Sequence, residues 1–304
     1  MELQLDPDRL LPVDPATRAV ARSLYDRVAQ LPIISPHGHV APSLLRDDAP
    51  FSDPTNLLIT YDHYVTRLLH AAGVDLAEIG AGTAAEADPR AVWRLFCENW
   101  HLYYGTASGY WLTHELVTLF GITTEPSAES ADALYDEIAG RLALADFRPR
   151  ALFERFGPDT GHDIPVRTEY TKSLQPLLNA YGLEKDFHLV LFGVDETVFS
   201  REIAPLAGFY PSVYIGAPWW FLDAPDAVHR FRSAVTETAG FYRGSGFIDD
   251  TRAFLSIPAR HDMARRLDAG FLARLAREGR LTPAQAERIA VDLVDSIPRK
   301  VFKL

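Results

Sequence analysis

The chain is expected to be an α/β protein built of parallel βα units in the manner of a TIM-type barrel, with a block of helices set into it. Three observations predict this. In the C-terminal half, short apolar runs alternate with amphipathic stretches, which is how parallel βα units read. Residues 54–148 carry apolar side chains at three- and four-residue spacing and show no convincing strand. Side chains suited to chemistry stand at the C-terminal ends of the apolar runs, where a TIM-type barrel places them.

The elements follow in order. Asp14-Pro15 predicts the start of a helix over 15–30, with Asp14 as cap and Pro15 at the first helical position. An apolar run then predicts a strand over 33–40, carrying His37-Gly38-His39 at its end. Leu57, Leu58, Tyr61, Tyr64, Val65, Leu68 and Leu69 make a helical pattern that Gly73 ends. Two aromatic-rich helices are expected over 91–104 and 110–120, and a third over 127–144 with Ser127 as its candidate cap. Beyond them the pattern predicts a helix over 168–181 stopped by Gly182, a strand over 188–192, a helix over 197–207, a strand over 212–215 and a helix over 225–239. A short strand over 246–248 ends in Asp249-Asp250, and helices over 259–279 and 283–294 close the sequence.

Composition narrows the function classes. The chain has 304 residues, 47% of them hydrophobic and 23% charged, enough for a sizeable core in one or two domains. A net charge of -11 argues against nucleic acid or an anionic membrane as partner. A small anionic substrate needs only a local basic pocket. One cysteine, Cys97, excludes an intrachain disulfide; a reducing compartment fits, as does a disulfide-free secreted protein. The first residues lack the basic and apolar regions of a signal peptide, and no apolar stretch approaches the ~20 residues that span a bilayer, so the cytoplasm is the expected location.

His37 and His39 stand at i and i+2 on one extended segment and point to the same side, so both can reach one metal ion. On spacing alone, a pair of surface histidines is an equally good reading. Asp250 is the candidate third ligand, because in a closed parallel barrel the last strand lies beside the first. Two imidazoles and a carboxylate suit a divalent ion such as Zn²⁺. Asp62-His63-Tyr64 could supply a proton donor and an acid or base, or could be ordinary packing in an amphipathic helix. Arg252, Arg260, Arg265 and Arg266 could each hold a carboxylate. Arg252 shares the side of the chain that Asp250 takes, whereas the other three are expected on a solvated helix face. Trp219-Trp220-Phe221 is read either as a pocket wall or as core. Asp195-Glu196 is expected to cap the next helix. Cys97, mid-helix beside Phe96, is read as core rather than as a nucleophile. No G-x-G-x-x-G, P-loop or G-x-S-x-G motif is present.

Taken in order, LPIISPHGHV, FSDPTNLLITYDHYVTRLLHAAGV, IPVRTEY, GAPWWF and GFIDDTRAFLSIPARHDMARR resemble the uronate (glucuronate) isomerase family of the amidohydrolase superfamily. The resemblance covers nearly the whole chain. It implies a TIM-like (β/α) barrel of amidohydrolase type with an all-helical insertion after the first strand. The implied activity is isomerisation of D-glucuronate to D-fructuronate and of D-galacturonate to D-tagaturonate. It further implies His37, His39 and Asp250 as ligands of a divalent metal, with zinc the ion expected from the donor types. His63 and Tyr64 would contact substrate and move protons, and Arg252 would bind substrate and orient Asp250. Trp219 and Trp220 would line the pocket. A small hexuronate is the implied partner.

The sequence departs from that pattern in one respect. A complete barrel takes ~250 residues by itself, and the helical block leaves too few. About four strands are expected, matching the first and the last three of the family. The joint falls near Phe153-Glu154-Arg155-Phe156-Gly157-Pro158. The expected division is 1–53 for the N-terminal helix and first strand, 54–156 for the helical insertion, and 157–304 for the C-terminal βα units. The family places another site histidine and a substrate-binding arginine on the missing middle strands. A half-barrel has two open edges, so a homo-oligomer is expected. A metal-dependent hydrolase of the same superfamily and a catalytically inactive remnant are the alternative functions.

Overall fold

The computed structural model describes residues 2–81, 87–156, 169–219 and 221–304. Its contacts divide the chain into two units. The first comprises Met1–Pro7, Gly38–Gly161 and Thr251–Arg260, and the second Asp8–His37, His162–Asp250 and His261–Leu304.

The first unit is helical. Its α-helices are α2 (Pro42–Asp47), α3 (His63–Ala71), α4 (Pro89–Glu98), α5 (Ala107–His114), α6 (Ala131–Leu142) and α7 (Pro149–Phe156). Local sequence explains several of their ends. The Asp62 carboxylate accepts from the Tyr64 amide at 2.8 Å and starts α3. Gly73, at φ +103°, supplies the left-handed turn that follows that helix. Asp88 with Pro89 starts α4, and Thr106 caps α5. The expected cap Ser127 lies outside its helix. α6 begins after Ser130, and the two serines bond each other across the preceding turn. Trp93, Phe96, Trp100 and Tyr103 fill the core, with Trp93 Nε1 donating to the Ala131 carbonyl at 2.9 Å. Each such side chain contributes about 1.5–3 kcal/mol on burial. Gly109 is required by packing: a Cβ there would lie 2.1 Å from the Tyr103 carbonyl oxygen.

The second unit holds α1 (Pro15–Val28), α8 (Thr171–Tyr181), β1 (Leu189–Gly193), α9 (Ala204–Phe209), β2 (Val213–Pro218), α10 (Pro225–Ala239), α12 (Pro283–Val294) and α13 (Ser296–Phe302). The long α11 (Ile257–Arg277) starts in the first unit and continues here. Asp14 caps α1, as the sequence predicts. β1 and β2 run parallel, with Leu189 opposite Val213 and Leu191 opposite Ile215. Every residue of β2 is buried, the pattern of a strand covered on both faces. One core cluster joins Leu191, Val198, Phe199, Val213, Ile215 and Phe231; a second joins Leu24, Tyr214, Leu272, Ile289 and Ile297.

The architecture is therefore α/β, with two paired parallel strands among the described residues. Two of the four expected strands form. Residues 33–40 run without a regular ladder, and 246–248 do not form a strand, although Gly244 makes a parallel bridge to Ile215. An apolar run specifies burial, but a ladder also needs a neighbour at the right edge. The helix expected over 197–207 divides into a π-turn, Phe199–Ile203, and α9. Among the described residues no helix is long and apolar enough to cross a membrane.

The arginines of α11 correct the expectation of a solvated face. Arg260, Arg265 and Arg266 are all buried. Arg265 donates to the carbonyls of Val28, Ala29 and Pro32. Arg266 bonds Asp262 at 2.9 Å and lies 4.0 Å over the Tyr25 ring. A buried guanidinium persists when its donors find acceptors, and carbonyls at the end of α1 supply them.

Candidate functional site

Asp250 begins the site. It follows the buried run 246–248, and its backbone takes φ +47°, a left-handed conformation that costs an L-residue about 1–2 kcal/mol. Asp tolerates that region better than most residues. Strain of this kind collects where a side chain must be aimed. Asp250 Oδ1 stands 3.3 Å from His37 Nε2, and its carboxylate is nearly closed to solvent.

His37 is the exposed partner. Its ring stacks on Trp219 with centroids 5.5 Å apart, and Trp219 stacks on Phe192 at 4.3 Å. The aromatic face fixes the imidazole plane while Nε2 points to the carboxylate. Trp220, the second tryptophan of the pair, lies outside the described residues.

His39 follows two residues on. Its amide donates to the Thr251 carbonyl at 3.2 Å, so the chain just after Asp250 holds the chain just after His37. His37, His39 and Asp250 each offer a ligand atom, and these atoms lie within 4.8 Å of one another. A tetrahedral zinc with bonds near 2.1 Å needs donors about 3.4 Å apart. The His37–Asp250 pair meets that spacing as it stands. Two imidazole nitrogens and one carboxylate oxygen are a donor set that suits zinc and leaves a fourth position open.

Within the first unit, His39 and Arg252 help to line a cavity of about 570 Å³, together with Asp47, Asn56, Tyr61 and Phe254. The volume lies within the range of small-ligand sites. The lining mixes hydrogen-bonding groups with apolar rings. Sequence reasoning did not find Asn56 or Tyr61. Asn56 opens and Tyr61 follows the π-turn Asn56–Thr60, whose irregular geometry has no sequence signature.

His63 and Tyr64 open α3 with ring centroids 4.5 Å apart, and neither borders the cavity. Tyr64 is buried. Its ring meets Trp111 edge-on at 5.2 Å, and the Arg260 guanidinium lies 4.8 Å over it and 3.8 Å over Trp111. Glu115, also buried, belongs to the same charged group. Loss of solvent pushes its carboxyl well above the usual range, the Asp62 charge adds to this, and Arg260 opposes it. Arg260 is fully enclosed among these groups.

A family model described as Glucuronate isomerase matches residues 15–156 and 150–300 of the chain. Its two matched segments meet at 150–156. The uronate isomerase of Corynebacterium efficiens is 38% identical over 461 aligned positions, covering 98% of this chain and 98% of that protein. That of Cutibacterium acnes is 38% identical over 466 positions, covering 99% of each. The first of these alignments is 157 positions longer than the 304-residue chain, so at least that many of its positions have no counterpart here. Among solved structures, glucuronate isomerase from Caulobacter crescentus aligns with TM-score 0.95 at 33% identity, over 100% of this chain and 98% of that one. Uronate isomerase from Thermotoga maritima aligns with TM-score 0.85 at 17% identity, over 98% of this chain and 99% of that one, and shares the fold.

Proposed function

The chain belongs to the glucuronate isomerase family, and on that premise we propose that it isomerises D-glucuronate to D-fructuronate and D-galacturonate to D-tagaturonate. The observation that carries this reading is the meeting of His37, His39 and Asp250 in a chain whose two halves both match the family. The fold we propose is the incomplete TIM-like barrel of amidohydrolase type, with about four strand segments and the helical insertion after the first. Its division is 1–53, 54–156 and 157–304. The likeness to the Caulobacter structure supports the barrel-type fold.

Aldose–ketose isomerisation moves a proton between C2 and C1 through an enediol. It needs a base at carbon, a shuttle between O1 and O2, and stabilisation of oxyanion charge. Asp250, held in its left-handed turn, takes the C2 proton and returns it to C1. His37, His39 and Asp250 would hold a divalent ion, zinc by donor type, which would supply Lewis acidity at the sugar oxygens. Arg252 reaches into the cavity wall and opposes the negative charge that develops on oxygen. His63 and Tyr64 move the hydroxyl proton, which requires the start of α3 to open toward the substrate. Trp219, with Trp220, walls the sugar and keeps His37 oriented. The substrate is a free hexuronate. The same reading places the chain in the cytoplasm as a homo-oligomer, because the open sides of a partial barrel need cover.

The test incubates the purified chain with zinc and either hexuronate and follows ketose formation. Turnover that a chelator abolishes and zinc restores is expected, with a loss of at least about 100-fold in His37→Ala. Turnover no higher than that of His37→Ala would sink the catalytic reading. Hydrolysis of a lactone or amide in its place would point to a hydrolase of the same superfamily.

A further inference from the structure

We infer that Asp249 and His261 act as a positioning pair that aims Asp250 at the metal site, a role that rests on the site reading above. Asp249 precedes Asp250, yet its side chain turns inward. Its carboxylate is fully enclosed, and its Oδ2 lies 2.9 Å from His261 Nε2. An ionised carboxylate only accepts, so Nε2 carries the proton and donates. Phe247 meets the His261 ring edge-on at 5.1 Å and 87°, which fixes the imidazole plane. His261 belongs to α11, a helix of 21 residues, so the bond ties the turn to a rigid element.

The geometry gives the pair its purpose. Successive residues 249 and 250 send their carboxylates to different partners, one to α11 and one to His37. The positive φ at Asp250 lies between them and sets the angle at which the second carboxylate leaves the chain. Freed from His261, Asp249 would let the turn relax to an extended conformation and carry Asp250 Oδ1 away from His37 Nε2. The Asp249 amide also approaches Ser35 Oγ at 3.5 Å, so the same residue touches the segment that bears His37. His261 is not among the three residues that offer ligand atoms, so its effect passes through Asp249 and Asp250.

The experiment measures zinc affinity of the full chain by chelator competition, with thermal melting as a control for folding. His37→Ala tests the site reading. His261→Leu removes the donor and keeps the bulk, His261→Gln keeps an N–H donor, and Asp249→Ala removes the acceptor. Supporting ligands outside a metal's immediate shell typically contribute 10–100-fold in affinity. We expect a loss of about that size in His261→Leu and Asp249→Ala, and affinity within about threefold of the parent in His261→Gln. The double variant should bind no more weakly than the worse single variant, because the two residues act as a unit. Parental affinity in His261→Leu and Asp249→Ala, with zinc lost in His37→Ala, overturns the pair and leaves the site. Parental affinity in His37→Ala overturns the site itself. An equal loss in His261→Gln and His261→Leu overturns the hydrogen bond as the cause. If His261→Leu does not fold, His261→Gln and Asp249→Ala decide the matter.

Discussion

Asp250→Gly and Asp250→Ala form a pair of substitutions that isolates the backbone strain at the site. Both remove the carboxylate, so both should lose at least about 100-fold in isomerisation if Asp250 is the base. They differ only in a methyl group. At an ordinary position alanine stabilises relative to glycine by about 0.4–1 kcal/mol, because it restricts the unfolded chain. At φ +47° the sign changes. The Cβ meets its own carbonyl, at a cost of about 1–2 kcal/mol that glycine avoids. Subtracting the entropy advantage of alanine leaves glycine ahead by about 0.8 kcal/mol. In urea, with a slope near 2 kcal/mol/M, this separates the midpoints by about 0.4 M. The measurement is equilibrium unfolding of both zinc-free variants at one pH. Alanine as stable as glycine, or more so, refutes the claim that Asp250 sits in a strained conformation, and with it the view that strain aims this carboxylate.

Two further outcomes follow from buried groups. Glu115 titrates well above its ordinary range in the folded chain, chiefly because it is cut off from water. Its protonated form is favoured by folding, so its contribution is complete below the unfolded carboxylate range and is lost as pH rises toward the folded value. Glu115→Gln should therefore flatten the fall in stability as pH rises above the ordinary carboxylate range, by up to about 1.4 kcal/mol per pH unit; an unchanged slope in a pH series of urea melts would contradict this. Cys97 is buried and its thiol is pushed up to about 12 by loss of solvent, ahead of the nearby acidic charges. It should resist a thiol reagent at pH 8 in the native chain and react when unfolded; rapid labelling without unfolding would show that the α4 core opens.

Short-range signals account for what sequence reading recovered. Asp14-Pro15 starts α1, and Pro225 and Pro283 open α10 and α12 where the pattern places them. The apolar runs near residues 190 and 214 form β1 and β2. Asp195 accepts from the Thr197 amide, as a residue capping the next helix should. Each depends on a few neighbouring residues, so the sequence carries the information within one or two turns. The interior arginines were misread for the converse reason. Arg260 is stabilised by Trp111 and Tyr64, about 150 and 200 residues away in the chain, and no periodicity reports such partners.

The helical block, the two paired strands, the His-x-His signature and, through the order of its motifs, the family are all legible in the residues alone. Those are properties of local pattern and of residue identity. Packing leaves residues 33–40 and 246–248 without a ladder, sets Arg252 in a cavity wall while Arg260 is enclosed, and turns Asp250 through a left-handed conformation toward His37. The physical reason is the same in each case. Pairing, burial and the aim of a carboxylate are set by atoms distant in sequence, whose positions are fixed only when the whole chain has packed.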